Sequence, residues 1–252
     1  MGSQLKTKSI PELEDPSMIS EQHFSSSFTS VWHKVTPLAD TYWRRENLKV
    51  KRELSPIKNR APTRLRGFLN ELAFETFIKA KIAGELPRKE TIIPIAQEST
   101  KSVADYIFRI TNKEDSITLD LDEDCQNEVF GLTQNLMQFF PQTQNITFRP
   151  KFSGCGIVSA CEGDLIYQDC LYEIKAGDRG FRASDIKQLL TYSSLAFLNK
   201  TSEFSKVGLF NPRTGYYWER TIDQLCIELS GMRESDTLPN ITSHMTQLAI
   251  SR

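Results

Sequence analysis

Two short segments in the last third of the chain carry residue types that could bind a metal ion. Asp164 follows Gly163, and Glu173 and Lys175 stand nine and eleven residues after Asp164. If a hairpin with a two- or four-residue loop is centred on Gln168-Asp169, Asp164 lies directly opposite Glu173. Opposed residues place their side chains on one face with Cβ atoms about 4.5–5.5 Å apart, where like charges repel. A divalent cation between the two carboxylates would remove that repulsion.

The chemistry that these groups favour is hydrolysis of a phosphodiester bond. Mg²⁺ prefers oxygen ligands and keeps several waters, which a substrate phosphate can replace. Lys175 lies two residues beyond Glu173 and projects from the same face, where its amino group could orient a water and offset developing charge. The same register pairs Glu162 with Lys175, whereas a loop of odd length would turn Asp164 to the opposite face.

A helix that follows these segments could complete the site. Apolar positions between Ala183 and Leu198 recur with helical spacing, and Gln188 and Tyr192 lie one turn apart on that helix. Taken singly, each motif has an ordinary explanation, because Glu-x-Lys is common on solvated strands and Gly-Asp is common in turns. The combination favours a catalytic site.

The elements that must position this site follow from hydrophobic spacing. Residues 64–83 predict a helix that Gly84 ends, with Glu71 and Glu75 one turn apart on it. Other predicted elements are strands near 91–95 and 106–110, a helix near 128–140, β-type runs at 156–160, 164–167 and 171–176, and a strand at 206–210. We expect residues 85–150 to be an insertion into a core that spans 63–230, and 231–252 to be a C-terminal tail.

Residues 1–62 are expected to form a basic N-terminal extension. Its serine-rich start, residues 1–30, is expected to be loosely ordered, and residues 28–54 predict one or two helices that end at Ser55-Pro56. The aromatic residues of this stretch, Trp32, Tyr42 and Trp43, could stack on bases, but packing in the core is favoured.

Charge is unevenly distributed along the chain. Nine Lys or Arg stand against two Glu between Arg44 and Arg66, whereas seven acidic residues and no basic one lie between Glu114 and Glu128. Each run has an ordinary explanation as a solvated face, but the basic one could also bind phosphates and the acidic one a basic partner. With five cysteines and no CxxC pair, reduced thiols are expected. The chain of 252 residues lacks a membrane-length apolar run, and a cytoplasmic location is expected.

Gly163-Asp164, Glu173-Ile174-Lys175 and Gln188-x-x-x-Tyr192 together resemble the PD-(D/E)xK nuclease superfamily, in particular its RecB-like and Cas4-like branch with a QxxxY helix. Gly67-x-x-x-Glu71 is similar to the first motif of that superfamily, although Glu75 competes for the role. The resemblance implies an α/β (α+β mixed) fold with a restriction-endonuclease-like core, in which helices flank a central mixed four-stranded sheet. An N-terminal helical extension and an insertion would be added to it.

The resemblance also implies roles for individual residues. Asp164, Glu173 and Glu71 would hold Mg²⁺ or Mn²⁺, and the backbone carbonyl of Ile174 would face the same ion. Lys175 would be catalytic, with Gln188 beside it. Gln188 and Tyr192 would contact the substrate backbone or the catalytic lysine. Apart from the resemblance, the charge and position of Arg179, Arg182 and Lys187 just beyond the strand predict contacts to substrate phosphates, although Arg179 and Arg182 also have an ordinary explanation as solvated residues of a loop and helix start.

These expectations describe a metal-dependent nuclease that hydrolyses DNA, in antiphage defence, restriction or DNA repair. The alternative is a non-catalytic nucleic-acid-binding or assembly subunit that kept the nuclease fold. The chain lacks a GxxxxGK[ST] loop, so any ATP-driven strand opening would need a separate helicase or ATPase subunit. Its three histidines lie far apart in sequence and no Gly-x-Ser-x-Gly motif occurs, which disfavours a serine or cysteine hydrolase.

Overall fold

Helices cover both faces of a mixed β-sheet in the computed structural model, which describes residues 18–111, 121–201 and 203–251. The helices are α1 (Glu21–Ser27), α2 (Thr29–Val35), α3 (Ala39–Glu46), α4 (Arg66–Ala83), α5 (Lys89–Thr111), α6 (Glu123–Phe139), α7 (Ala183–Asn199), α8 (Ile222–Ser230) and α9 (Glu234–Ile250). The strands are β1 (Lys51–Arg52), β2 (Ile146–Phe148), β3 (Lys151–Phe152), β4 (Cys161–Glu162), β5 (Leu165–Tyr167), β6 (Cys170–Ile174), β7 (Lys206–Asn211) and β8 (Tyr216–Thr221). No helix among the described residues is both long enough and apolar enough to span a membrane.

The main sheet has six strands in the order β1-β8-β7-β6-β5-β2, not the four that were expected. Strands β6 and β7 are parallel and α7 connects them, while all other neighbours are antiparallel. The mixed α/β class is therefore confirmed. The two edge strands were not predicted because two or three residues are too few to show alternation, and β8, which has six residues, was not predicted either.

The hairpin that carries Asp164 and Glu173 has the predicted register. Leu165 pairs with Tyr172 and Tyr167 with Cys170, around a two-residue loop. Gln168 in that loop has φ of 58°, in the left-handed region that such tight hairpins use. The ladder ends one residue short of Asp164, which leaves its side chain free to bond to the backbone of β6.

Two details of the β regions differ from expectation. Glu162 does not pair with Lys175, because β4 leaves the main sheet and pairs with β3, where Glu162 lies opposite Lys151. Residues 156–160 form no strand but a turn held by single bridges from Val158 to Ile19 and Cys155. Gly156 in this turn has φ of 56° and touches the backbone of α9, so the segment is shaped by close packing rather than by pairing.

Alternate residues of the central strands pack against different helices. Leu171, Val207 and Leu209 contribute to a core that includes α1–α3 and α7–α9. Leu165, Tyr172 and Phe210 contribute to a second core with α4 and α6. This period of two places Glu173 and Lys175 on the same side as Leu171.

The strands predicted at 91–95 and 106–110 are wrong, because both lie within the single helix α5. Thr91–Ile95 is rich in β-branched residues, which misled the prediction. Burial instead follows helical spacing, with Ile92, Ala96, Ser99 and Val103 all buried. These side chains pack against α4 and α6, and tertiary packing overrides local β propensity.

Five of the remaining helices, α2, α3, α4, α6 and α7, lie where helices were predicted, whereas α1, α8 and α9 were not predicted. Helices α4, α6 and α7 coincide with the three predictions, and Gly84 ends α4 in the left-handed conformation. The predicted N-terminal helices correspond to α2 and α3, whose aromatic residues Trp32, Tyr42 and Trp43 are buried in the core. The helical region ends at Glu46 and not at Ser55-Pro56, because Lys51–Arg52 pair with β8. The expected tail contains α9, which packs against α7.

Two predictions about flexible or charged segments fall partly outside the described residues. Of the loosely ordered start, residues 1–17 are not described, whereas α1 occupies 21–27. Residues 114–120 of the acidic run are likewise outside the described residues. The rest of that run begins α6, where the Asp122 carboxylate accepts a hydrogen bond from Cys125 N at 2.8 Å and Glu123 and Asp124 suit the positive end of the helix dipole.

A buried ion pair joins the helical layer to the end of β7. Arg213 is 2% exposed, and its Nη1 donates to Glu128 Oε1 at 2.6 Å. The same guanidinium donates to Asn70 Oδ1 on α4 at 2.6 Å and to the carbonyl of Ala176 at 2.7 Å. It therefore ties α4 and α6 to the segment that follows β6.

We expect Arg213→Met to destabilise the fold by about 3–5 kcal/mol, because it leaves the Glu128 carboxylate buried without a cation. Urea unfolding followed by circular dichroism measures the loss. Lys151→Met is the control, since the Lys151–Glu162 pair is exposed at 3.6 Å and should contribute less than about 1 kcal/mol. Equal effects of the two substitutions would contradict the structural role of Arg213.

Candidate active site

A polar cleft of about 260 Å³ opens where β6 ends, between α4, α1 and the loop that follows β6. Six residues singled out from the sequence line it: Gly67, Glu71, Asp164, Ile174, Lys175 and Arg179. They come from four separate parts of the chain. The fold thus brings together the motif on α4, the hairpin carboxylate and the residues at and beyond the end of β6.

Lys175 is held by three groups that surround its amino nitrogen. Its Nζ donates to Glu173 Oε1 and to Gln188 Oε1, each at 2.9 Å, and lies 4.0 Å from Asp185 Oδ1. The side chain is 16% exposed. Burial lowers the pKa of Lys175, but the neighbouring Glu173 and Asp185 carboxylates outweigh it and raise the pKa above its ordinary value. The group is therefore a fixed cation in this arrangement.

Asp164 is anchored by the backbone of the opposite strand. Its Oδ2 accepts a hydrogen bond from Ile174 N at 2.6 Å, which takes the place of the next ladder bond. Gly163 before it is closely surrounded, because a Cβ there would lie 3.3 Å from the Phe152 ring. Burial and then the charge of Glu173 raise the pKa of Asp164. Its ionised form is therefore costly without a compensating cation.

Glu173 faces Lys175 and α7. Burial raises its pKa, although the charge of Lys175 and the hydrogen bond from its amino group act in the opposite direction. Glu21 and Asp185 add to the increase. The charge of Glu173 also raises the pKa of Asp164, so the two carboxylates interact, and Lys175 is bonded to Glu173.

Glu71 is paired with an arginine that the sequence did not single out. Arg149 Nη2 lies 3.0 Å from Glu71 Oε1 and 3.2 Å from Glu75 Oε2, so both candidate carboxylates of α4 share one cation. Burial lowers the pKa of Arg149, and the two carboxylates more than offset this. Arg149 also has φ of 49°, which is uncommon for a residue with a side chain. Its backbone N donates to the carbonyl of Asp164 at 2.9 Å.

Gln188 and Tyr192 form a buried pair on α7. Gln188 Nε2 donates to Tyr192 Oη at 3.0 Å while its Oε1 accepts from Lys175. Burial raises the pKa of Tyr192, and Glu173 and Glu21 raise it further, so the hydroxyl stays protonated. It lies 3.2 Å from the carbonyl of Glu162. Gln188 thus contacts Lys175 directly, and Tyr192 contacts Gln188. Tyr192 is 2% exposed.

The three predicted cationic contacts have different surroundings. Arg179 lines the cleft and makes a two-pronged pair with Asp185, with both N–O distances 2.9 Å. Arg182 is exposed at the start of α7 and lines a neighbouring cavity of about 440 Å³. Lys187 is 14% exposed and lies 3.8 Å from Asp40 of α3. Arg179 is therefore placed to meet a ligand in the cleft, and Arg182 a ligand that extends into the neighbouring cavity.

The donor atoms fit a hydrated Mg²⁺ ion. Asp164 and Glu71 line the same cleft, and Mg²⁺ binds to one or two carboxylates while keeping several waters. Within residues 18–111, 121–201 and 203–251, no three His, Cys, Asp or Glu side chains form a metal site by themselves. The buried Asp164 carboxylate is the feature that a divalent cation would relieve, because Glu173 does not line the cleft and already accepts a hydrogen bond from Lys175.

Several polar residues of the site escaped the sequence analysis. Of these residues, Asp185, which binds Arg179 and approaches Lys175, could have been predicted from the sequence. An acid at the third position of a helix commonly accepts a hydrogen bond from the backbone at the helix start. No local sequence pattern identifies Glu21, Arg149 or Asn70 as site residues. They reach the site through tertiary contacts, which sequence spacing does not reveal.

Comparisons with protein families and curated proteins do not assign a function, so the function is inferred from the geometry of the site. No family model matches the chain, and no curated protein is significantly similar to it.

Proposed function

We propose that the protein is a metal-dependent nuclease that hydrolyses phosphodiester bonds of DNA. The observation that carries the proposal is the position of Lys175, whose amino group is held by Glu173 and Gln188 beside the Asp164 carboxylate in a polar cleft. A fixed cation next to paired carboxylates is suited to reactions in which negative charge develops on phosphate oxygens. The similarity to the PD-(D/E)xK motifs agrees with this chemistry.

In the proposed reaction, each residue has a separate task. Asp164 and Glu71, with the Ile174 carbonyl, would hold Mg²⁺ or Mn²⁺, which supplies polarisation of the phosphate and a more acidic bound water. Lys175 orients the attacking water and stabilises the charge that forms on phosphorus-bound oxygens. Gln188 keeps the lysine in place. Arg179 and Arg182 bind flanking phosphates of the strand.

One observation favours a second candidate function, that of a non-catalytic DNA-binding or assembly subunit. Arg149 neutralises Glu71 and Glu75, so the carboxylate on α4 already has a cationic partner from the protein. A subunit of that kind would bind DNA at the same cleft without metal. Either activity is compatible with a separate helicase or ATPase partner and with a role in antiphage defence or repair.

The test is cleavage of supercoiled plasmid and of labelled linear single- and double-stranded DNA with Mg²⁺, Mn²⁺ or EDTA. We expect cleavage with either metal and none in EDTA. Lys175→Met protein that is purified by the same procedure serves as the control, because a contaminating nuclease would still cleave DNA in that preparation. DNA binding without cleavage in any metal would support the second candidate and overturn the proposal.

The substrate pattern then defines the reaction further. Nicking or linearisation of plasmid indicates endonuclease action, whereas loss of signal from labelled ends alone indicates exonuclease action. RNA of the same sequence tests the choice of DNA. Each comparison uses one preparation at one salt concentration, since phosphate contacts weaken steeply with salt.

A further inference from the structure

The helix α1 contributes a carboxylate to the back of the candidate active site. Glu21 Oε1 lies 3.3 Å from Gln188 Nε2 and 3.3 Å from Tyr192 Oη. It is partly buried, and it precedes Gln188 by 167 residues and Tyr192 by 171 residues in the sequence. The N-terminal extension is thus built into the support of Lys175.

We propose that Glu21 is a positioning residue that orients Gln188 and, through it, the Lys175 amino group. The inference rests on the proposed nuclease function for its meaning in catalysis. A side-chain amide has one acceptor oxygen and two N–H donors. When the Gln188 oxygen accepts from Lys175, its two N–H groups need acceptors, and Tyr192 Oη and Glu21 Oε1 are the two that lie within reach.

The hydrogen bonds that join Lys175, Gln188 and Glu21 can form in only one orientation of the Gln188 amide. Tyr192 can donate only one hydrogen, and its hydroxyl lies within reach of both Glu21 Oε1 and the Glu162 carbonyl. Glu21 as a carboxylate can only accept, so it cannot be satisfied by a flipped Gln188 amide that turns its oxygen toward α1. The carboxylate therefore selects the orientation in which the amide oxygen faces Lys175.

A purely structural role for Glu21 makes a different prediction. Glu21 is the first residue of α1, where an acidic side chain also stabilises the helix dipole. Loss of that effect would change the stability of α1 without changing the surroundings of Lys175. Ser25 offers a matched control on the same helix, because Ser25 Oγ and Thr191 Oγ1 form a buried α1–α7 contact at 3.2 Å.

The experiment compares Glu21→Ala, Glu21→Gln and Ser25→Ala in the full chain by two measurements. The first is kcat and KM for DNA cleavage with Mg²⁺. The second is the rate at which Lys175 reacts with limiting acetic anhydride in EDTA, read by peptide mass spectrometry. Glutamine retains an acceptor oxygen toward Gln188, whereas alanine does not.

We expect Glu21→Ala to lower kcat about tenfold at unchanged KM, the effect of one lost hydrogen bond of about 1.4 kcal/mol. Its Lys175 should react about three- to tenfold faster, since the amino group is less firmly held. Glu21→Gln and Ser25→Ala should resemble the wild type in both measurements. Wild-type labelling of Lys175 in Glu21→Ala would overturn the inference, as would equal effects of Glu21→Gln and Glu21→Ala. If the wild type cleaves no DNA, the proposed function fails, and the labelling rates still decide the role of Glu21.

Discussion

Lys175→Met is expected to lower the rate of DNA cleavage by about 10²–10⁴-fold, the range for losing a positioned proton-transfer or charge-stabilising group. Methionine keeps an unbranched apolar stem, one atom shorter than lysine, but cannot donate to Glu173 or Gln188. Single-turnover cleavage with saturating Mg²⁺ measures the effect on the chemical step. Because Asp185 keeps its two-pronged contact with Arg179, the loop after β6 retains one of its ion pairs.

The matched control is Lys81→Met. Lys81 is also a buried lysine, 7% exposed, and its Nζ donates to the carbonyl of Pro141 at 2.8 Å. It lies ten residues beyond Glu71 on α4, about 15 Å along the helix. We expect its cleavage rate to equal that of the wild type. If Lys175→Met keeps more than about a tenth of the activity while folded, Lys175 does not have the proposed role.

Asp164→Asn is expected to abolish cleavage and, in EDTA, to make the fold more stable. Burial and the charge of Glu173 raise the pKa of Asp164, so its ionised form is less stable in the folded chain than in the unfolded chain. That penalty is present at neutral pH and disappears as the pH falls to the ordinary Asp value of 3.8 and below. Asparagine carries no charge and can still accept the hydrogen bond from Ile174 N.

Mg²⁺ should reverse this order of stability. A ligand at one hundred times its Kd stabilises the folded state by about 2.7 kcal/mol. For a chain of this size that raises the Tm by about 5–10 °C. We expect such an increase for the wild type and a much smaller one for Asp164→Asn, measured by thermal unfolding in EDTA and in Mg²⁺.

The control for Asp164→Asn is Asp169→Asn in the loop of the same hairpin. Asp169 Oδ1 accepts from Lys206 Nζ at 3.2 Å, a contact that lowers the pKa of Asp169. This substitution should slightly destabilise the fold at neutral pH and leave the response to Mg²⁺ unchanged. A loss of stability in EDTA for Asp164→Asn would instead make Asp164 a structural residue.

The hairpin shows what residue spacing can predict. The register followed from a loop of even length centred on Gln168-Asp169, because a two- or four-residue loop there gives the same pairing of Leu165 with Tyr172. The spacing of Gln188 and Tyr192 likewise fixed their common face on α7. Both features are local, with few backbone alternatives.

Helix α5 shows where local reasoning fails. Short runs of β-branched residues around Ile92 suggested strands, and no nearby signal indicated that α4 and α6 would bury one face of a continuous helix. The edge strands β1 and β2 were missed for a related reason. Their conformation depends on the neighbours β8 and β5 and not on a pattern of their own.

The sequence by itself determined the hairpin, the helices α4, α6 and α7, and the types of residue that could carry chemistry. Those features depend on contacts over a few residues, which periodicity and turn chemistry describe. Only the tertiary structure decided that Arg149 neutralises Glu71, that Asp185 approaches Lys175, and that Glu21 from the extension supports Gln188. Such partners are chosen by three-dimensional proximity between distant segments, because a buried charge or amide must find whatever donor or acceptor the packed fold brings within reach.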